Sequence, residues 1–172
     1  MKLTLIVIGG PTASGKSALA MNFARHLQTE IISADSRQCF KEMTIGTAKP
    51  PHEDLEEIKH HFVNSHSIHQ HFSAGIFAKE SQNILNNLFK EKEFAVVVGG
   101  TGLYIRALTE GLDELPSVEE STREKVKSIY QEKGIEALLE IIREKDPAYL
   151  DRVDTQNPSR LMRAAEILLQ TN

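Results

Sequence analysis

Gly10-Pro11-Thr12-Ala13-Ser14-Gly15-Lys16-Ser17 fits the pattern G-x-x-x-x-G-K-[ST]. It stands directly after the β-branched run at 3–8 and directly before a helical pattern, the setting a phosphate-cradling P-loop requires. Its glycines let the backbone curl so that several N–H groups face one anion, and the helix N-terminus adds partial positive charge. Lys16 brings a mobile full charge, and the Ser17 hydroxyl is placed to coordinate Mg²⁺. The pattern specifies a di- or triphosphate ligand and is silent about what that phosphate is attached to.

Working outward, Leu3, Leu5, Ile6, Val7 and Ile8 suit a strand buried on both faces of a parallel sheet. The helix opening at Lys16 is expected to bury Leu19, Phe23 and Leu27, spaced by four along one face. A second short strand is predicted over 30–34, ending at Asp35, and a third over 94–98, stopped by Gly99-Gly100. Residues 61–63 give a weaker strand signal, and Phe77, Ile84, Leu85 and Leu88 mark one face of a helix over 73–90. Alternating strands and helices predict an α/β, P-loop NTPase-like, three-layer fold with a mostly parallel sheet.

The character changes after Pro116. Residues 118–145 are charged and helical, with Ile135, Leu138, Leu139 and Ile142 as a narrow apolar stripe. Asn157-Pro158 reads as N-cap and first-turn proline of a last helix that buries Leu161, Ala164, Ala165 and Leu168. The expected organisation is a catalytic core at 1–115, a helical appendage at 116–155, and a helix returning to the core at 156–172.

The bulk properties narrow the class. A chain of 172 residues suits one domain, or a domain with an appendage, and a net charge of −4 leaves any nucleic-acid contact to a local basic groove. The lone Cys39 excludes an internal disulfide. The run at 3–8 is too short to span a bilayer, so a cytoplasmic, membrane-free monomer is expected. There is no Asn-Lys-x-Asp guanine-reading motif, and the third strand ends in Gly99-Gly100-Thr101 without the acid that holds metal in many ATPases. Small P-loop kinases and transferases that use a diphosphate remain. Asp35, at the carboxyl end of strand two, stands where open α/β sheets bind ligands. It reads equally as a general base and as a strand-end cap.

Ser33-Ala34-Asp35-Ser36-Arg37-Gln38 followed by Ile45-Gly46-Thr47-Ala48-Lys49-Pro50 resembles the tRNA dimethylallyltransferase family. So do His60-His61, Phe72-Ser73-Ala74-Gly75, Val98-Gly99-Gly100-Thr101-Gly102-Leu103-Tyr104, and Asn157-Pro158-Ser159-Arg160 with Arg163-Ala164, all in the family's order. The resemblance covers nearly all of this chain and somewhat over half of a family member, which implies a C-terminally truncated chain. It implies transfer of a dimethylallyl group from dimethylallyl diphosphate to N6 of the adenine just 3′ of the anticodon. The P-loop (Gly10, Pro11, Thr12, Ala13, Ser14, Gly15, Lys16, Ser17) would then hold the diphosphate leaving group, with Mg²⁺ on Ser17, in place of the ATP other P-loops bind. By motif position Asp35 resembles the family's general base, with Lys16 and Thr101 beside the reacting groups. The tRNA anticodon stem-loop would be contacted by Asp35, Ser36, Arg37, Gln38, Thr101 and Arg123, and by Ser159, Arg160, Leu161, Met162 and Arg163.

The residues themselves carry part of this. Arg160 and Arg163 sit in the first turns of a helix, where the dipole disfavours cations, and an RNA phosphate would balance them. Pairing with Asp151, Asp154 or Glu166 is the alternative. Cys39-Phe40 and Phe72 stand where the family more often has an aliphatic residue with tyrosine, and tyrosine. Cys39 reads as a small buried core residue or a reactive thiol. His60, His61, His66, His69 and His71 crowd into twelve residues without zinc-like spacing. Other readings of the loop are a small-molecule or nucleoside kinase, an enzyme prenylating free adenine nucleotides, and an inactive module retaining a phosphate or tRNA contact surface.

Overall fold

The computed structural model describes residues 2–113 and 115–171. The chain divides into two compact units, Met1–Leu112 and Asp113–Asn172.

In the first unit the elements run β1 (Thr4–Gly9), α1 (Lys16–Leu27), β2 (Ile31–Ser33), α2 (His52–Glu57), β3 (His60–His61), α3 (Ala74–Leu88), β4 (Phe94–Gly99) and α4 (Gly102–Thr109). The four strands form one sheet in the order β1-β4-β2-β3, and each pairing is parallel. Strand alternation splits the buried side chains between two layers. Ile32, Ala95 and Val97 face a core with Phe77 and Leu85 of α3 and Tyr104 and Ala107 of α4. Ile31, Val96 and Val98 face the other way, onto Ala20, Met21 and Ala24 of α1. This is the three-layer arrangement that the strand–helix alternation predicts.

Helix α1 departs from its expected face. Ala20, Met21 and Ala24 are buried, whereas Leu19 is 47% and Phe23 37% exposed. The rotation of α1 is set by the loop that feeds it, because Gly15 at its N-cap holds φ 80° and Leu19 N–H bonds back to the Gly15 carbonyl at 3.1 Å. With the rotation pinned, two alanines meet the sheet at close range.

Parallel pairing brings the carboxyl ends of the strands to one edge. Gly9 pairs with Gly99, and Ser33 with Val98, so the P-loop, the segment after β2 and the segment after β4 emerge side by side. Ala34 and Gly99 approach so closely that a Cβ on Gly99 would lie 2.1 Å from the Ala34 carbonyl oxygen. That same oxygen accepts from Thr101 N–H at 3.1 Å, while Ala34 N–H donates to Val98 O at 2.7 Å.

The second unit holds α5 (Glu120–Lys145), α6 (Pro147–Leu150) and α7 (Pro158–Thr171). Helix α5 is interrupted at Gly134, whose φ 74° and ψ −165° are outside helical space. The sequence reading ran a continuous helix through this glycine. Val126 from before the break and Leu138 and Ile142 after it converge with Leu161 and Ala165 of α7 into one dry cluster. Helix α7, read from sequence as returning to the catalytic core, contributes Leu161 and Ala165 to this cluster. Asn157 caps α7 as expected, its Oδ1 accepting from Arg160 N–H at 3.2 Å. No helix among the described residues is long and apolar enough to cross a membrane.

Candidate active site

The first unit carries a cleft of about 310 Å³ at the carboxyl edge of the sheet. One wall is P-loop: Thr12, Ala13, Lys16 and Ser17. The floor is Ser33, Val98 and Gly99, and the opposite side is Asp35, Ser36, Arg37, Gln38 and Thr101. Three segments far apart in sequence meet here because the parallel sheet ends them on one edge.

The loop is shaped for an anion. Ala13 and Gly15 hold positive φ (65° and 80°), which turns successive amides inward. The first turn of α1 has no side-chain cap and no acidic residue, so its amides keep their donors for a ligand. Lys16 Nζ donates to Pro11 O at 2.8 Å, folding the ammonium over the loop.

Asp35 is fixed by its own backbone. Its Oδ1 accepts from Arg37 N–H at 2.9 Å and Gln38 N–H at 3.2 Å, so one carboxylate oxygen serves as a turn cap while Oδ2 carries no protein hydrogen bond among the described residues. Of the two sequence readings of this residue, the cap is seen in the bonds to Oδ1. Thr101 Oγ1 accepts from Ser36 N–H at 3.0 Å. With a lone pair so engaged, the hydroxyl proton is left to donate into the cleft. Gln38 links three segments, its Oε1 accepting from Ser33 Oγ at 3.0 Å and its Nε2 donating to Thr47 O at 3.2 Å and Ala48 O at 2.9 Å.

Sequence reasoning missed the remaining wall. Gly46, Thr47, Ala48, Pro50, Asp54 and His60 also line the cleft. The signal available is the run Ile45-Gly46-Thr47-Ala48-Lys49-Pro50, which enters the sequence reading only as part of a resemblance. His60 is held through Nδ1 by the Ile58 carbonyl at 2.8 Å. Burial holds its pKa below the ordinary 6.5, partly opposed by that hydrogen bond.

The other histidines have separate tasks. His61 Nε2 meets Glu30 Oε2 at 2.5 Å, and His66 packs against Phe72 with ring centroids 4.1 Å apart and the planes tilted by 38°. Cys39 is fully buried in the core, where desolvation raises its thiol pKa and keeps it a poor nucleophile. Phe72 packs among Phe62, His66 and Tyr104, so its missing hydroxyl leaves no buried donor unpaired.

The remaining sequence candidates lie in the second unit. Arg123, in the first turn of α5, stands 3.5 Å from Glu120. Ser159, Arg160 and Arg163 are exposed on α7, with Arg163 paired to Glu166 at 3.1 Å, and Met162 is half-buried. No hydrogen bond or ion pair among the described residues engages the Arg160 guanidinium. Leu161 needs correcting: it is 0% exposed, packed with Val126, Leu138 and Ile142. Its helical position turns it inward, so its contribution to any RNA surface is to hold α7 in place.

No group of three or more His, Cys, Asp or Glu side chains among the described residues could enclose a metal. The Ser17 hydroxyl, in the cleft lining beside Lys16, is an oxygen donor of the kind Mg²⁺ would use.

The family model for IPP transferase matches residues 38–172. The chain belongs to that family. A tRNA dimethylallyltransferase of Christiangramia forsetii is 48% identical over 167 residues, which is 97% of this chain and 55% of that protein. The tRNA dimethylallyltransferase of Cytophaga hutchinsonii is 43% identical over 167 residues, again 97% of this chain and 55% of the relative. The crystal structure of a eukaryotic dimethylallyltransferase acting on tRNA superposes with a TM-score of 0.78 at 26% identity, over 97% of this chain and 41% of that one. The full-length tRNA isopentenylpyrophosphate transferase of Bacillus halodurans gives 0.63 at 30% identity, over 99% of this chain and 57% of its own. The chain thus spans about half the length of the curated relatives it matches. Those relatives cover its P-loop as well as the residues the family model matches.

Proposed function

We propose that this chain carries the catalytic core of a tRNA dimethylallyltransferase, which moves a dimethylallyl group from its diphosphate to N6 of the adenine 3′-adjacent to the tRNA anticodon. The observation that carries the reading is the convergence, in one cleft of an IPP transferase family member, of an anion-holding loop and a carboxylate with one uncommitted oxygen.

The chemistry follows from the geometry. The diphosphate lies on the P-loop amides with Lys16 against its oxygens, and Thr101 adds its hydroxyl proton to the same charge. Ser17 would hold Mg²⁺, which when bound would supply further neutralisation of the leaving group. The adenine N6 lone pair forms the new bond to the allylic C1 as the C1–O bond breaks, and the bonding electrons leave with the diphosphate. The N6 proton passes to Asp35 Oδ2, while Oδ1 stays on the Arg37 and Gln38 amides and keeps the carboxylate aimed. Arg37 and Gln38 flank the place of the base, and Arg123, Ser159, Arg160 and Arg163 are assigned to the RNA backbone, which positions the substrate without reading it. Cytoplasmic tRNA is the expected pool.

The test is transfer of radiolabelled dimethylallyl to an anticodon stem-loop by the wild-type chain and by Asp35→Asn. Asparagine keeps the side-chain acceptor for the Arg37 and Gln38 amides and removes the base. A loss of about 10²–10⁴-fold in transfer rate is expected. Binding of the diphosphate, read by thermal stabilisation with Mg²⁺, should persist. Equal transfer rates for the two proteins would remove Asp35 from the mechanism. Stabilisation by ATP and not by the prenyl diphosphate would favour a kinase.

A further inference from the structure

Ile45 is 98% exposed, the most extreme exposure of any large apolar residue among those described. A lone exposed aliphatic residue is ordinary on a floppy loop. This loop is braced. Thr47 is buried, and its hydroxyl bonds to the carbonyls of Met43 and Thr44 at 3.0 and 3.2 Å, closing the turn beneath Ile45. Gln38 Nε2 holds the carbonyls of Thr47 and Ala48 from the cleft side. Lys49 Nζ reaches Phe40 O and Asn64 Oδ1, each at 2.6 Å, and ties the base of the loop to the core. Gly46, at φ 76°, supplies the reversal that turns the chain outward at this point.

Position gives the exposure its meaning. Gly46, Thr47 and Ala48 line the cleft, and Ile45 is the next residue, about 3.8 Å away along the backbone. It therefore adjoins the segment that lines the cavity, exposed to solvent. A base drawn into an enclosed site leaves a gap in its strand, and unstacking of its neighbours must be offset. Proteins that open a base stack commonly fill it with an aliphatic side chain.

Resting on the function proposed above, we infer that Ile45 is a preformed apolar wedge that packs against the bases flanking the nucleotide seated in the cleft. The side chain is presented without rearrangement, because the braces fix its backbone before RNA arrives. Its contact is with the strand and not with the diphosphate, so it acts on RNA affinity and leaves the P-loop ligand alone.

The experiment compares the wild-type chain with Ile45→Ala and Ile45→Leu. Dissociation constants are measured by fluorescence anisotropy for two anticodon stem-loops, one intact and one abasic at the target position. Dimethylallyl diphosphate binding and thermal midpoint are read alongside. Ile45→Ala should weaken both RNAs about tenfold, by a similar factor, because the wedge touches the neighbours and not the target base. Ile45→Leu should restore most of the affinity, and diphosphate binding and midpoint should be unchanged in both variants. RNA affinities of Ile45→Ala within twofold of wild type would overturn the wedge while leaving the proposed function standing. A wild-type chain that binds the diphosphate and neither RNA would overturn both.

Discussion

Gly99→Ala is the sharpest structural test of how the site is assembled. The new methyl would lie 2.1 Å from Ala34 O, 2.4 Å from its carbonyl carbon and 2.8 Å from its Cα. All three are backbone atoms of a buried strand end, so no side chain can rotate away. Relief requires β2 and β4 to part by about 1 Å at their carboxyl ends in a close-packed interior. That movement breaks or stretches the Ala34 N–H to Val98 O and Thr101 N–H to Ala34 O bonds. Overpacking of this kind costs about 1–3 kcal/mol. Each buried backbone group left unpaired adds roughly 1–3 kcal/mol. A destabilisation of about 3–5 kcal/mol is therefore expected, a large part of the ~5–15 kcal/mol that holds a typical domain together. Urea unfolding followed by far-ultraviolet circular dichroism measures it, and amide hydrogen exchange at Ala34 and Thr101 locates it. Gly102→Ala is the control: a Cβ there meets nothing within 4 Å, and Gly102 opens α4. It should be neutral or stabilising by up to about 1 kcal/mol. If Gly99→Ala unfolds within 1 kcal/mol of wild type, the close approach of the two strand ends is wrong, and with it the placing of Asp35 beside Thr101.

Gly134→Ala should destabilise the helical unit by about 1–3 kcal/mol, because φ 74° with ψ −165° is a region essentially reserved for glycine. Faster amide exchange confined to 120–171 is the expected readout, and unchanged exchange there would refute the break in α5. His60 makes stability depend on pH. Its folded pKa lies below the ordinary 6.5, so as pH falls below 6.5 the unfolded chain takes up a proton that the folded chain does not. The folded state thus loses stability from about pH 6.5 down to the depressed pKa. His60→Gln should flatten that window in paired urea titrations at pH 7.5 and 5.5, and an undiminished slope would show that His60 is not its source.

Local chemistry can be read from contiguous residues. The P-loop is legible because its glycines, lysine and serine are contiguous, and backbone conformation over eight residues is set by those residues. Strand β4 was legible because Phe94–Gly99 has no polar face to offer water, whereas β1, expected to be buried on both faces, ends the sheet with Val7 39% exposed. The α7 cap was legible because Asn157 acts only three residues away. What the tertiary structure decided is everything that depends on which segments lie side by side. Asp35, Thr101 and His60 line one cleft because β2 lies between β4 and β3, and strand order is a property of the whole sheet. The buried face of α1 went to Ala20, Met21 and Ala24 because the loop fixed the helix's rotation before its larger apolar residues could choose. Leu161 sits among exposed arginines in sequence and is dry in the fold, since one turn of α7 presents both a core face and a solvent face. Ile45 reverses that case. Hydrophobicity assigns it to a core, and only the braces from Gln38, Thr47 and Lys49 hold it in water beside the cleft-lining Gly46.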